Sequence, residues 1–466
     1  MTTRSRHDFT TGSITRGMIT FALPFLLSNI LQALYGAVDM WVVGNFSSDV
    51  VTTREAIVAG VNIASQITHM VAMAVSGLTV AGTVLVGQYI GARKNKDASQ
   101  TVGTMFSMLG IAALFLTVVM ILLSEPLLNL LETPANSMDP AKEYLIICLS
   151  GTIFIFGYNA VSSIQRGMGD SIRPLYFVGI ACIINIALDL LFVKSMGMGA
   201  AGAAWATVIA QAVSFIVAAL YLSRSRFIFD FKPSSFKIKK EKMKMMIKIG
   251  IPSSVQSIIV NISFLVMTAV VNSINEDPTA AAAAAAGVGI VGKFNSFAIL
   301  PAVAMSSSVS AFAAQNIGAG LHDRAKKCVA TGIAIALSIS IAILIFVQIF
   351  PEAVLTFFGV GPDAVQSGVE YMRTFSIEYL FIPILFCFNG LIMGAGHTFF
   401  TLISGASSSL FLRIPVALIL GKWMGLGLTG VGLAGPAATL AGVILAGWFI
   451  FSGRWQKDKT GIHREE

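Results

Sequence analysis

Twelve stretches of about 20 mostly apolar residues recur along this 466-residue chain, and that is the length an α-helix needs to cross a bilayer. They lie near 15–43, 56–86, 101–123, 144–165, 174–193, 199–222, 248–273, 280–312, 329–350, 371–392, 399–420 and 427–451. With 55% hydrophobic and 12% charged residues and a mean hydropathy of +0.80, the composition is that of a polytopic membrane protein. The expected fold class is therefore all-α and integral to the membrane, with twelve transmembrane helices.

The positive charges orient it. Of 31 Lys and Arg, 24 fall in the N-terminal segment, the loops after even-numbered helices or the C-terminal tail, which places both termini in the cytoplasm. The same bias accounts for the net charge of +8 without nucleic acid, because the basic loop from Arg224 to Lys248 would lie against anionic headgroups. The first apolar run is longer than a signal-peptide core and lacks a small-residue cleavage pattern, so no cleavable signal is expected. Cys148, Cys182, Cys328 and Cys387 lack metal-ligand spacing and read as packing residues.

The chain also repeats itself. GQYIGARKNKDA at 87–98 resembles AQNIGAGLHDRA at 314–325, and RGMGDS at 166–171 meets MGAGHT at 393–398, both at an offset of 227. MGMGAAGAAWAT at 196–207 meets MGLGLTGVGLAG at 424–435, and Pro24 meets Pro252, at 228. Six helices return a chain to the same side of the membrane, so the halves are expected as parallel repeats: two six-helix lobes related by a pseudo-two-fold axis along the membrane normal. The expected division is an N-lobe at 1–222, a basic cytoplasmic linker at 223–247 and a C-lobe at 248–466 with a basic tail. Such lobes flank a cleft, and rocking one against the other is the geometry of a secondary transporter.

Two aspartates stand inside these runs, where a charge is costly and marks a functional site by default. Asp39 lies five residues before Gly44 at the outer end of the first helix, and Asp189 five before Lys194 at the outer end of the fifth, so at about 1.5 Å per residue they share a depth. Gln32, Tyr35 and Asp39 share one helix face, Asn185 and Asp189 another, and Thr207 reaches a comparable level on the sixth helix. Two carboxylates in low dielectric hold their charge only with a cation beside them, and the expected exchange is of H⁺ or Na⁺, the latter at Asp39, Asn185, Asp189 and Thr207. The alternative is that each acid only hydrogen-bonds neighbouring helices.

The repeat architecture, YGAVDMWVVGN in the first helix, GQYIGA after the second, RGMGDSIRP after the fourth and NIALDLLFVKSMGMGAAGAAWATVIAQ across the fifth and sixth resemble the multidrug and toxic compound extrusion (MATE) family over nearly the whole chain. The resemblance implies twelve helices in two lobes, rocker-switch alternating access, and export of cationic amphipathic compounds coupled to inward H⁺ or Na⁺. It maps an N-lobe cation site onto Asp39, Asn185, Asp189 and Thr207, with Gln32 one stripe away. The chain departs from the pattern at Ser162, where related sequences often carry Asn, as the second repeat does at Asn389; Asn159, one turn earlier, is the candidate substitute.

A second departure is in the seventh helix, where members with a C-lobe acidic site carry Glu but this chain has Gln256 and Asn261. The acid in an apolar C-lobe run is Glu378, either a coupling or drug-binding acid or an interfacial partner of Arg373, five residues earlier. Lys293 and Arg413 lie deeper, each a neutralising partner across the cleft or a group facing headgroups. Together with Tyr35, these residues are the candidates for substrate contact or gating.

Other motifs carry less. GMGAAG at 197–202 and GLGLTG at 425–430 match a dinucleotide fingerprint but follow no strand and read as close-packed helix entries. GMGD at 167–170 matches a motif of intramembrane aspartyl proteases, yet Arg166, Arg173 and Pro174 put it in a cytoplasmic loop and its repeat mate holds no aspartate. The expected protein is thus an antiporter, not an enzyme, in a bacterial inner membrane. It would be a monomer needing no cofactor beyond its coupling ion, with small organic cations and membrane lipids as partners. The rival readings are a lipid-linked oligosaccharide flippase, supported by Lys293 and Arg413 alone, and a membrane enzyme or passive channel.

Overall fold

A computed structural model describes residues 8–48, 50–224, 228–274 and 277–462, and among them every regular element is a helix. Ten helices are each long and apolar enough to cross a membrane, and two bent pairs bring the total to twelve. In chain order they are α1 (Ile14–Phe46), α2 (Val51–Gly91), α3 (Asn95–Leu122), α4 (Ala135–Ser150 with Thr152–Gly167), α5 (Ile172–Ser195), α6 (Gly199–Arg224), α7 (Lys240–Asn272), α8 (Pro278–Gly318), α9 (His322–Ile349), α10 (Pro362–Leu380 with Ile382–Gly394), α11 (Thr398–Trp423) and α12 (Gly427–Phe451). Mid-span Phe115, Ile183, Leu265 and Ile444 are exposed, as lipid-facing positions must be.

The bends have local causes. α4 turns by 48° at Gly151, and α10 by 43° just before Pro383, whose ring removes a backbone donor and crowds the preceding turn. α5 ends in a π-helical turn, Leu190–Ser195, directly after Asp189, and α11 ends in another, Ala417–Trp423. Such turns widen the helix and re-aim its side chains.

The backbone itself repeats. Left-handed residues pair at the sequence offset: Arg93 (φ 58°) with Gly320 (75°), Glu132 (52°) with Gly359 (74°), Gly169 (88°) with Gly396 (80°), Gly197 (67°) with Gly425 (71°) and Gly199 (53°) with Gly427 (56°). Loops as well as helices therefore follow the duplication.

The chain forms two compact units. One runs from Leu27 to Gly250; the other joins the residues up to Leu26 to those from Ile251 on. Both crossings occur inside continuous helices, α1 and α7, within two residues of Pro24 and Pro252. Each repeat thus lends the opening turns of its first helix to the unit built by the other repeat.

Those lent segments are tied down separately in each unit. In the unit from Leu27 to Gly250, the buried Lys242 donates to Asp97 Oδ1 at 2.6 Å and to the Tyr89 hydroxyl at 2.7 Å. In the other, Phe9 stacks on Phe312 with ring centroids 3.7 Å apart, and Arg324 donates to the carbonyls of Phe9, Thr11 and Gly12 at 2.8–3.1 Å. Asp170, within the GMGD stretch, caps α5 by accepting from the backbone N–H of Ile172 and Arg173 and pairs with the Arg173 side chain at 2.9 Å.

Candidate functional site

α1 and α5 bring Asp39 and Asp189 together. Asp39 is 6% exposed and Asp189 fully buried, and their carboxyls lie within hydrogen-bonding reach of each other. Beside them Asn185 Nδ2 donates to Thr207 Oγ1 at 3.4 Å, joining α5 to α6, and both residues are buried. The Tyr144 hydroxyl, from the first limb of α4, is within reach of Asp39.

The acceptors outnumber the donors. Asp39 Oδ1, both carboxyl oxygens of Asp189 and Asn185 Oδ1 are buried with no protein donor. A buried acceptor left unpaired costs about 1–3 kcal/mol, and a pair of facing carboxylates costs more. One proton shared between the acids, or one hard cation held among these oxygens, removes that cost, and an all-oxygen set suits such an ion.

A small open cleft lies in the same unit and meets the acid pair at Tyr35. Gln32, Tyr35, Tyr158, Asn185, Gln211 and Ser214 give it polar points among apolar surface from Val178, Ala181 and Ala210. Tyr35 faces both aspartates and Gln211 as well as the cleft, so the ion site and the cleft are contiguous. That combination of apolar walls and few polar groups is typical of a small-molecule site.

The remaining candidates distribute differently. No hydrogen bond joins Ser162, buried on α4, or Asn159, half-buried there, to the acid pair among the described residues. Gln256 packs against Gly405, Asn261 is exposed and donates to Ser257 O on its own helix at 2.9 Å, and Lys293 is exposed. Glu378 is not paired with Arg373: it accepts from Arg413 Nη2 at 2.9 Å, while Arg373 is exposed. Five residues along a helix turn through about 500°, which puts the two side chains on different faces. Arg413 is accordingly a neutralising partner within the C-terminal unit.

The MatE family pattern matches the chain twice, over residues 24–191 and 252–419, reproducing the repeat at an offset of 228. This chain belongs to the MATE family. Its relatives include the probable multidrug resistance protein YpnP of Bacillus subtilis, 30% identical over 455 residues, 97% of this MATE chain and 98% of the relative. The probable multidrug resistance protein NorM of Thermotoga maritima is 25% identical over 95% of the chain and 94% of the relative. The fold matches the solved outward-facing conformation of a multidrug resistance MATE family transporter of the MOP superfamily with a TM-score of 0.88 at 21% identity, covering 98% and 99% of the two chains. This MATE protein is a multi-pass membrane transporter and not an enzyme.

Sequence reasoning passed over Tyr144, Gln211 and Thr439. Tyr144 begins the fourth apolar run and reads as an interfacial aromatic, and Gln211 and Thr439 are single polar residues in α6 and α12. The signal for the last two is the duplication: they stand 228 residues apart, each beside an acid-centred cluster.

Proposed function

We propose that this transporter exports cationic amphipathic compounds in exchange for H⁺ or Na⁺ taken up at Asp39 and Asp189. The observation that carries the reading is the pair of mutually facing carboxyls, three of whose four oxygens have no protein donor, beside a polar-dotted apolar cleft that meets them at Tyr35. In the outward-open state the acids take up the cation, the cleft loses its attraction for the organic cation, and substrate leaves. The units then rock inward and reload. Coupling requires that the two ligands differ in affinity between the states, because a ligand binding both equally shifts nothing. A cation held among Asp39, Asp189, Asn185 and Thr207 supplies such a difference for a positively charged substrate a few ångströms away, since like charges in low dielectric repel strongly.

The membrane is the bacterial inner membrane, with both termini cytoplasmic and the basic segment around Lys237–Lys248 toward anionic headgroups. The protein acts without a cofactor and as a monomer. The flippase reading loses half its support to the Glu378–Arg413 pair, which neutralises one of its two cationic residues.

The test is accumulation of a fluorescent organic cation in inside-out proteoliposomes with a pH gradient or a Na⁺ gradient imposed separately. Accumulation driven by one of the gradients supports the antiport and names the ion. Equal dye movement with no gradient indicates a channel, and no movement under either gradient counts against organic cations as substrates.

A further inference from the structure

The second repeat fills the equivalent of the ion site in another way. At the offset of 228, Asp39 meets Met267 and Asp189 meets Ala417, both buried, so neither acid persists. Asn185 meets Arg413, Gln211 meets Thr439, and Thr207 meets Gly435. The amide beside the acid pair has become a guanidinium, a group that stays charged at any pH a protein survives.

A carboxylate answers it from a new direction. Glu378, 3% exposed, sits just before the break of α10, and its Oε1 accepts from both Arg413 Nη2 and the Thr439 hydroxyl. Arg413, 8% exposed, also lies over the Phe264 ring at 4.7 Å. A Cβ on Gly435 would stand 2.6 Å from Glu378 Oε2, so the carboxylate fills the space the first repeat gives to the Thr207 side chain. Tyr371, at the repeat position of Tyr144, and Tyr379 also face the pair, and Arg413 Nε lacks a hydrogen-bond partner among the described residues.

We propose that Arg413 is a resident counter-cation: tethered at the position of Asn185, it occupies for Glu378 the place that a transported ion takes beside Asp39 and Asp189, so the C-terminal unit takes up no coupling cation. This rests on reading the aspartate pair as the exchange site. A second cation arriving at Glu378 would have to displace a covalently attached one from a buried, hydrogen-bonded pair, and removing either partner of such a pair is strongly unfavourable. Glu378 therefore remains a carboxylate throughout the cycle, and ion exchange is confined to one site per chain.

The test is infrared difference spectroscopy of the full-length protein in lipid nanodiscs at neutral pH, where exposed carboxyls are ionised. The protein is prepared unlabelled and with ¹³C-carboxyl glutamate, and the band of protonated carboxylic acids is read. The unaltered protein is expected to show no component shifted by the glutamate label, and Arg413→Asn is expected to gain one that Glu378→Gln removes. A label-shifted component in the unaltered protein, lost in Glu378→Gln, would overturn the inference. For H⁺ the labelled unaltered protein decides the matter even where Arg413→Asn fails to fold; for Na⁺ the carboxylate stretch is compared with and without saturating Na⁺, and a label-shifted change that Glu378→Gln removes would equally overturn the inference. Failure of the exchange-site reading is seen separately, in gradient-driven transport that survives Asp39→Asn whatever the glutamate band does.

Discussion

Asp97 and Arg324 stand 227 residues apart at one position of the duplicated fold, and with opposite charges they do the same work: each anchors a segment leading into the other repeat's first helix. Asp97 holds the side chain of Lys242, whereas Arg324 holds three backbone carbonyls ahead of α1. The lent helix starts are thereby fixed by interactions inside each unit.

Asp97→Ala leaves the buried Lys242 ammonium with Tyr89 alone. A stability loss of about 1–3 kcal/mol is expected, because a charged hydrogen bond is lost while its donor stays buried. Lys242→Met, which removes the charge and keeps the stem, is expected to lose less. Thermal unfolding in detergent, followed by intrinsic fluorescence, ranks the two variants, and equal losses would contradict this assignment.

Arg93 and Gly320 isolate a backbone effect. Both are left-handed, and a Cβ at Gly320 meets nothing within 4 Å. Gly320→Ala should therefore cost about 1 kcal/mol through φ alone, and Arg93→Gly should come out stabilising or near neutral. Paired thermal melts of the two variants check the opposite signs.

Gly435→Ala puts a methyl group 2.6 Å from Glu378 Oε2 and so pushes on the buried ion pair. Overpacking of this kind costs about 1–3 kcal/mol. Gly179→Ala, with open space at its Cβ, is the control and should melt within about 1 kcal/mol of the unaltered protein, the helix-propensity scale for this exchange.

Asn185→Ala removes one buried oxygen and the bond to Thr207 without touching either acid. The concentration of coupling ion giving half-maximal transport should rise about 10-fold, the equivalent of about 1.4 kcal/mol, with the maximal rate little changed. A drop in maximal rate at unchanged half-saturation would point to a gating role instead.

The spans were legible because hydrocarbon imposes a length and a hydropathy that few other environments do, and the repeat because its loops keep backbone requirements at Gly169, Gly197 and Gly199 and at their mates. Asp39, Asp189, Asn185 and Thr207 could be brought together from depth and helix periodicity, since all four sit a similar distance from the outer ends of three neighbouring helices. The partner of Glu378 could not. Arg373 is near in sequence, but Arg413 reaches Glu378 from another helix, and nothing in a linear pattern says which side chain of α11 points at α10. The crossings at Leu26 and Gly250 carry only the nearby prolines Pro24 and Pro252 as a mark, and a proline inside a helix signals a bend, not a change of unit.

The central claim is that Asp39 and Asp189 hold the exchanged cation, and competition at equilibrium tests it most directly. Purified protein is loaded with a fluorescent organic cation, then titrated with H⁺ or Na⁺ while dye release is followed by fluorescence anisotropy. The account predicts that the coupling ion displaces dye from the unaltered protein, and that Asp39→Asn binds dye but no longer releases it. Release from Asp39→Asn at the same ion concentration as from the unaltered protein would contradict it.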